Sequence, residues 1–383
     1  MGPLPMKTAF TLLIATSLFN QIHAQSSTPA PARTNAPSRR DAAPLVSPEV
    51  HTNRTVTFRL RAPDARGVKV SGDWPGGATE LKRETNDVWS ATLGPLEPDI
   101  YGYSFTVDNL SMVDPANPWV KPMRATRTSA LEVPGDPPQL WEFRPVLHGT
   151  VHEHAYFSKS LGVRRSVHVY TPPGYEKNSR KLPVLYLFHG AGDNDATWTA
   201  TGRAHFIADN LLAQQRSAPM IIVMTDGHAL SGNPTRVSTN MIARNVEAFT
   251  DDLLKDVMPL IESTYRVKPN RDNRAIIGLS MGGGQSLSIG LKHRELFAWV
   301  GGMSSFLPTG EKTVAEAFAD PKHSLKLLWI ACGKDDFLIE NARQFTAALK
   351  ARNIPHVYKE TAGNHSWPVW RRYLGDFMPL LFR

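Results

Sequence analysis

Apolar and polar residues alternate in the region from about residue 50 to 133. Val56, Phe58 and Leu60 are separated by threonine and arginine, and residues 101–107 show the same period of two. This period is typical of half-buried β-strands. Turn-forming clusters such as residues 72–77 separate the runs. The pattern predicts a small antiparallel β-sandwich.

A different pattern begins at about residue 146, where short apolar runs alternate with stretches of helical spacing. Val246, Phe249, Leu253 and Val257 recur every three or four residues, as on the buried face of a helix. Strands that alternate with helices are typical of a mostly parallel sheet covered on both faces. This part of the chain is therefore predicted to be of the α/β class. The predicted strands are residues 150–157, 165–171, 184–188, 220–224, 274–277, 299–303, 325–331 and 356–359.

Proline-rich segments separate these regions. Residues 134–138 read Pro-Gly-Asp-Pro-Pro, which is a stiff break in the chain. We therefore expect a sandwich domain at residues 49–140 and an α/β domain at residues 146–383. Residues 25–48 are rich in serine, threonine, proline and alanine, and this composition predicts a flexible linker.

The first 24 residues have the order of a secretory signal peptide. Lys7 precedes an uncharged apolar run at residues 8–19, and the small residue Ala24 marks a cleavage site. The run is shorter than the roughly 20 residues of a membrane span, so an uncleaved anchor is the less favoured alternative. The sequence predicts a secreted or periplasmic protein without stable membrane association after cleavage.

Composition and charge narrow the class of function. Of the 383 residues, 41% are hydrophobic and 20% are charged, which is ordinary for a folded protein. The formal net charge is +8, but no nucleic-acid motif or dense basic run accompanies it, so no nucleic-acid partner is predicted. The single cysteine, Cys332, lies in an apolar run and is expected to be a buried, inert thiol. These features do not fix an oligomeric state.

The strongest chemical signal is the pentapeptide Gly-Leu-Ser-Met-Gly at residues 278–282. It follows the apolar run Ala275-Ile276-Ile277 and precedes a stretch compatible with a helix. A strand, a tight turn and a helix form the context of a nucleophile elbow, in which the serine stands at the tip of the turn. Ser280 is therefore predicted to be a catalytic nucleophile.

A serine nucleophile needs a general base and an acid that orients the base, and in α/β-hydrolases they follow it in the order acid, then histidine. His365 lies in a loop after the last predicted strand and is the predicted base. The acid should follow a strand between the two, where Asp335 and Asp336 come directly after the run 325–331. We choose Asp336, with Asp335 as the alternative; helix N-capping is another use for either.

Two backbone N–H groups should stabilise the oxyanion. One is expected from Met281, the residue after the nucleophile, and the other from the loop after the third strand, where Ala191 is the candidate. His189 and Trp198 flank that loop and are assigned to substrate binding, with shaping of the loop and core packing as alternatives. His152 and His154 share a strand face, but no third ligand accompanies them, so no metal site is predicted.

These motifs resemble carbohydrate esterase family 1, which contains feruloyl and acetyl-xylan esterases, and the related esterase family that includes enterochelin esterase. The similar segments are residues 169–175, 187–192 and 274–283. The resemblance implies an α/β-hydrolase fold and a triad of Ser280, Asp336 and His365, because the family's Gly-x-x-Asp pattern favours Asp336 over Asp335. Residues 56–108 and 114–118 are similar to the immunoglobulin-like early-set module of carbohydrate-binding module family 48.

The resemblance implies a serine esterase without a cofactor that acts on an ester-substituted polysaccharide or oligosaccharide of plant cell walls. Feruloylated xylan is the preferred substrate and acetylated xylan comes next. Cleavage of a siderophore ester is a further enzymatic alternative. A carbohydrate-binding protein without activity is the alternative from another class, and the complete Ser–Asp–His order argues against it.

Overall fold

The computed structural model describes Gly2 and residues 44–230, 239–306, 311–319 and 322–383. The predicted signal peptide, except for Gly2, and the predicted linker up to residue 43 lie outside these residues. Among the described residues, no helix combines the length and apolar character needed to cross a membrane.

The first part of the described chain is a sandwich of two antiparallel sheets. One sheet has the strand order β1-β2-β6-β5, and the other has the order β4-β3-β7-β8, with β9 paired to β7. The strands are β1 (Glu49–Val50), β2 (Val56–Arg61), β3 (Val68–Gly72), β4 (Thr79–Glu80), β5 (Lys82–Arg83), β6 (Val88–Leu93), β7 (Asp99–Val107), β8 (Leu110–Met112) and β9 (Ser129–Val133).

Aromatic rings fill the space between the two sheets. Phe58 on β2 packs against Trp74, Tyr103 and Phe105, with ring centroids 4.9 to 6.4 Å apart. These rings are no more than 5% exposed, as the alternation of apolar and polar residues along the strands requires. Trp74 and Tyr103 thus belong to the core of the sandwich.

The second part is built on one large sheet with the strand order β10-β11-β13-β12-β14-β15-β16-β17 in the described residues. Strand β11 is antiparallel to both of its neighbours, and all pairs from β13 onwards are parallel. The strands are β10 (Thr150–Ser158), β11 (Val163–Thr171), β12 (Val184–Phe188), β13 (Ile221–Thr225), β14 (Arg274–Gly278), β15 (Trp299–Met303), β16 (Leu327–Gly333) and β17 (Val357–Thr361).

Helices cover both faces of this sheet, and two separate apolar clusters lie between the sheet and its helices. One cluster includes Trp198 and Trp370, and the other includes Phe249 and Phe345. The strands between them are buried on both faces, as in parallel sheets generally. The helices are α1 (Thr197–Ala200), α2 (Ala204–Ala213), α3 (Thr239–Asp252), α4 (Met258–Thr264), α5 (Ser280–Lys292), α6 (Glu311–Ala317), α7 (Ile339–Ala351) and α8 (Trp367–Phe377).

The predicted fold class is confirmed: a mostly parallel α/β-hydrolase sheet follows a small all-β sandwich. This arrangement fixes where chemistry can occur, because the carboxyl ends of parallel strands meet at one edge of a sheet. The loops after β12, β13, β14 and β16 all leave from that edge.

Candidate active site

Ser280 stands at a sharp turn between β14 and α5. Its backbone φ of +52° lies in the left-handed region, where a non-glycine residue is strained. The turn is packed against β12, because a Cβ atom on Gly282 would lie only 2.3 Å from the carbonyl oxygen of His189. Glycine is therefore required there for the close approach. Ser280 is the first residue of α5, whose free N–H groups favour negative charge beside it.

The structure brings three of the predicted site residues into contact. The Nε2 atom of His365 lies 2.9 Å from the Oγ atom of Ser280. On the other side of the ring, Nδ1 lies 3.0 and 2.9 Å from the two carboxylate oxygens of Asp336. A hydroxyl, an imidazole and a carboxylate in this order can activate the hydroxyl as a nucleophile.

Asp336 is buried and held as a carboxylate. Burial acts to raise its pKa, but the hydrogen bonds from His365, from the Leu338 N–H and from Ser304 outweigh burial, so the pKa lies below its ordinary value. The neighbouring Asp335 is exposed and receives a hydrogen bond from the Gly363 N–H at 3.3 Å. The structure thus places Asp336, and not Asp335, against the histidine.

The loop after β12 lies beside the nucleophile. A Cβ atom on Gly190 would lie 3.4 Å from the Cβ atom of Ser280. The backbone N–H groups of Ala191 and Met281, the two predicted oxyanion donors, have no hydrogen-bond partner among the described residues. Free N–H groups beside the serine are the feature that an oxyanion hole requires. We call residues 190–193, which include the predicted donor Ala191, the oxyanion loop.

His189 and Trp198 do not offer a surface to a substrate in this structure. Each is only 1% exposed, and their polar atoms bond to the backbone. His189 Nδ1 donates to the Gly190 carbonyl at 2.8 Å, and Trp198 Nε1 donates to the Phe188 carbonyl at 3.0 Å. The geometry therefore corrects their assignment as substrate-binding residues: both position the oxyanion loop from inside the protein.

Residues 226–228, which follow β13, support the oxyanion loop from one side. The N–H of Gly192 donates to His228 Nε2 at 3.1 Å, and the N–H of Gly227 donates to His189 Nε2 at 2.9 Å. Burial and the neighbouring His189 lower the pKa of His228 to about 4, so this imidazole is a neutral acceptor near pH 7. The sequence reasoning missed this segment, although its place after a parallel strand was a usable signal.

A segment of the sandwich, residues 119–128, supports the same loop from another side. The N–H of Arg124 donates to the Gly192 carbonyl at 3.0 Å. The Lys121 ammonium lies 2.9 Å from the Asp193 carboxylate, and both side chains are largely buried. Lys121 also lies 5.4 Å from the ring centroid of Trp367, which begins α8 two residues after His365. One lysine of the sandwich therefore touches the oxyanion loop and the helix next to the histidine.

Helix α8 holds the other face of His365. The Trp370 ring meets the imidazole edge-on with centroids 4.9 Å apart, and its Nε1 donates to Ser304 Oγ at 3.0 Å. The next residue of the helix, Arg371, is fully buried and forms an ion pair with Asp99 at the start of β7 in the sandwich. The imidazole is thus fixed through a helix that is itself tied to the first part of the chain.

Among the described residues, no group of three or more His, Cys, Asp or Glu side chains is arranged to hold a metal ion. His152 and His154, weighed as a metal pair, bond instead to Thr171 and Tyr265. Cys332 is a buried free thiol whose pKa burial raises to about 12, which agrees with an inert role.

Two models of known protein families match different parts of the chain. The family model described as "Putative esterase" matches residues 158–380. A model described as carbohydrate-binding module 48, the isoamylase N-terminal domain, matches residues 46–120.

Among individual relatives, the endo-1,4-beta-xylanase/feruloyl esterase of Xylanibacter ruminicola is 32% identical over 345 residues. The match covers 88% of this chain and 46% of that protein, so the chain spans about half the length of this curated relative.

Solved structures are similar to this chain in fold. The enterobactin esterase of Shigella flexneri has a TM-score of 0.63 at 19% identity, covering 85% of this chain and 92% of its own. A carbohydrate esterase family 1 ferulic acid esterase from Anaeromyces mucronatus, in complex with ferulic acid, has a TM-score of 0.57 at 24% identity. That match covers 63% of this chain and 93% of the other.

Proposed function

Because this chain belongs to the esterase family whose model matches residues 158–380, we propose that it hydrolyses feruloyl esters of plant cell-wall xylan with Ser280 as its nucleophile. The observation that supports the chemistry is the contact of Ser280 Oγ with His365 Nε2 at 2.9 Å, backed by Asp336. Support for the substrate class comes from the similarity to a xylanase/feruloyl esterase over 88% of this chain.

The reaction proceeds by acyl transfer in two halves. His365 takes the proton of Ser280 as the hydroxyl oxygen attacks the ester carbonyl, and the carboxylate of Asp336 stabilises the imidazolium. The N–H groups of Met281 and Ala191 bind the oxyanion. His365 then gives the proton to the leaving alcohol, which departs and leaves an acyl group on the serine. In the second half, water attacks the acyl-enzyme with the same residues in the same roles, which releases the acid.

Several contacts support this assignment of roles. Strain at the φ of Ser280 and the glycine contact at the elbow hold the hydroxyl outward. Hydrogen bonds to Gly192 from both neighbouring segments hold the oxyanion loop. Donors that are fixed before the reaction need no reorganisation as charge develops, which is the main source of catalysis in such sites.

Export and domain division also belong to the proposal. The signal peptide cleaved after Ala24 would deliver the enzyme to the periplasm or the medium, where polymeric xylan is accessible. The sandwich at residues 49–140 would accompany the hydrolase domain at residues 146–383.

A substrate panel tests this function. Methyl ferulate, feruloylated arabinoxylan, acetylated xylan and enterobactin are offered to the wild type, to Ser280→Ala and to Ser263→Ala. The exposed hydroxyl of Ser263 donates to the Leu260 carbonyl within α4. We expect ferulate release by the wild type and by Ser263→Ala, and a loss of about a thousandfold or more in Ser280→Ala. Faster turnover of acetyl or enterobactin esters than of ferulates would reject the proposed substrate, and full activity of Ser280→Ala would reject the mechanism.

A further inference from the structure

Phe337 is an exposed aromatic side chain next to the proposed triad. It directly follows Asp336, yet it is 75% exposed while Asp336 is 2% exposed. The turn between them is fixed, because Asp336 accepts the Leu338 N–H at 2.8 Å and its own N–H donates to the Gly333 carbonyl at 3.2 Å. The same turn therefore directs a carboxylate inward and a phenyl ring outward.

The Phe337 ring lies against His365. The two ring centroids are 4.4 Å apart and the planes are inclined by 43°. Trp370 covers another side of the imidazole from within the core, whereas Phe337 borders it at the surface. The Phe337 ring is therefore exposed beside the histidine, where a ligand that reaches His365 can cover it.

The chemistry of the imidazole identifies which part of an ester lies there. His365 must pass its proton to the leaving alcohol, so the alcohol oxygen comes within hydrogen-bond distance of Nε2. A group packed beside the imidazole therefore borders the alcohol side of the ester. We propose that Phe337 is a stacking platform for the sugar ring that forms the alcohol part of the substrate. This inference rests on the proposed function.

A sugar suits this platform for two reasons. The C–H bonds on one face of a sugar ring are weakly positive and are attracted to the negative face of an aromatic ring. The exposed side chains of Asp335 and Asn364 also lie on the two loops that carry Phe337 and His365. Their polar groups can bond sugar hydroxyls.

The test compares two esters of the same acid. Wild type and Phe337→Ala are assayed with methyl ferulate and with arabinose feruloylated on a hydroxyl. We expect the ratio of kcat/KM for the sugar ester to kcat/KM for the methyl ester to fall about tenfold in Phe337→Ala, chiefly through KM for the sugar ester. Phe337→Tyr should keep the wild-type ratio because it retains the ring, and Phe337→Leu should lose it because it retains only apolar bulk.

Phe157→Ala is the matched control, since Phe157 is 60% exposed on β10 and its change should leave the ratio unaltered. An unchanged ratio in Phe337→Ala or in Phe337→Leu would overturn the inference, as would an equal loss for both esters, which would mean that the ring only shields His365. Ser280→Ala is run beside them. If it hydrolyses both esters as fast as the wild type, the proposed function has failed, and that outcome is distinct from a failure of the platform.

Discussion

Replacing Arg371 by methionine should destabilise the protein strongly, because this guanidinium joins the sandwich to α8. Arg371 is fully buried. Its Nε and Nη2 atoms lie 3.0 and 2.5 Å from one carboxylate oxygen of Asp99, and its Nη1 donates to the Thr201 carbonyl at 2.9 Å. It also donates to the Ile100 carbonyl. Methionine fills much of the same space but supplies none of these bonds.

The size of the effect follows from what the substitution leaves behind. Breaking a buried ion pair by removing one partner costs about 3–5 kcal/mol. The Asp99 carboxylate keeps Arg372 at 2.7 Å and the Ile100 N–H at 2.9 Å, which favours the lower end, about 3 kcal/mol. The loss should also reduce turnover, because α8 carries Trp370 against His365.

The assay is urea unfolding followed by tryptophan fluorescence, with kcat measured on the same samples. Arg343→Met is the control, since that arginine pairs with Glu340 and Glu360 on the surface, and its loss should change the stability far less. The double variant Asp99→Leu with Arg371→Met should recover part of the lost stability, because it leaves no buried charge. Equal stabilities of Arg371→Met and Arg343→Met would refute the reasoning.

Two other changes test the support of the oxyanion loop. Lys121→Met should lower kcat about tenfold with little change in KM, because it removes the ion pair that holds Asp193 in the oxyanion loop. Lys69→Met breaks an exposed ion pair with Glu80 and should leave kcat unchanged. Equal kinetic constants for the two variants would contradict the role of Lys121. Asp226→Asn should lower the free energy of unfolding at pH 7 by about 2 kcal/mol, measured by urea unfolding. Burial raises the pKa of Asp226, but the hydrogen bond from the His228 N–H and the charge of Arg165 are among the contacts that lower it to about 2, so its stabilisation is complete above about pH 4 and is lost towards pH 2. A difference from wild type that persisted unchanged to pH 2 would contradict the assignment.

The local parts of the site could be predicted from the sequence. The glycines around Ser280, the apolar run before it and the helix after it lie within about 20 consecutive residues, and the structure places the elbow where that pattern indicates. His365 and Asp336 follow from the fixed order of elements, since both come directly after parallel strands. The fold class could also be predicted from the sequence, because the period of apolar residues changes near residue 146.

The supporting contacts could not be predicted, because they join residues far apart in the chain. Asp99 and Arg371 are separated by 272 positions, and nothing local in either segment marks the other as its partner. The sequence around Lys121 does not indicate its contact with Asp193 in the oxyanion loop, which only the structure shows. The assignment of Trp198 to substrate binding went wrong for the same reason, since only the packed structure shows which aromatic rings face a pocket.

The central claim is that Ser280 is a nucleophile activated by His365. The most direct measurement treats wild type, Ser280→Ala and His365→Ala with a fluorophosphonate ester and locates the adduct by peptide mass spectrometry. Our account predicts a single adduct on the peptide that contains Ser280, no adduct in Ser280→Ala, and labelling at least about a hundredfold slower in His365→Ala. An adduct on another residue, or labelling of His365→Ala at the wild-type rate, would contradict it.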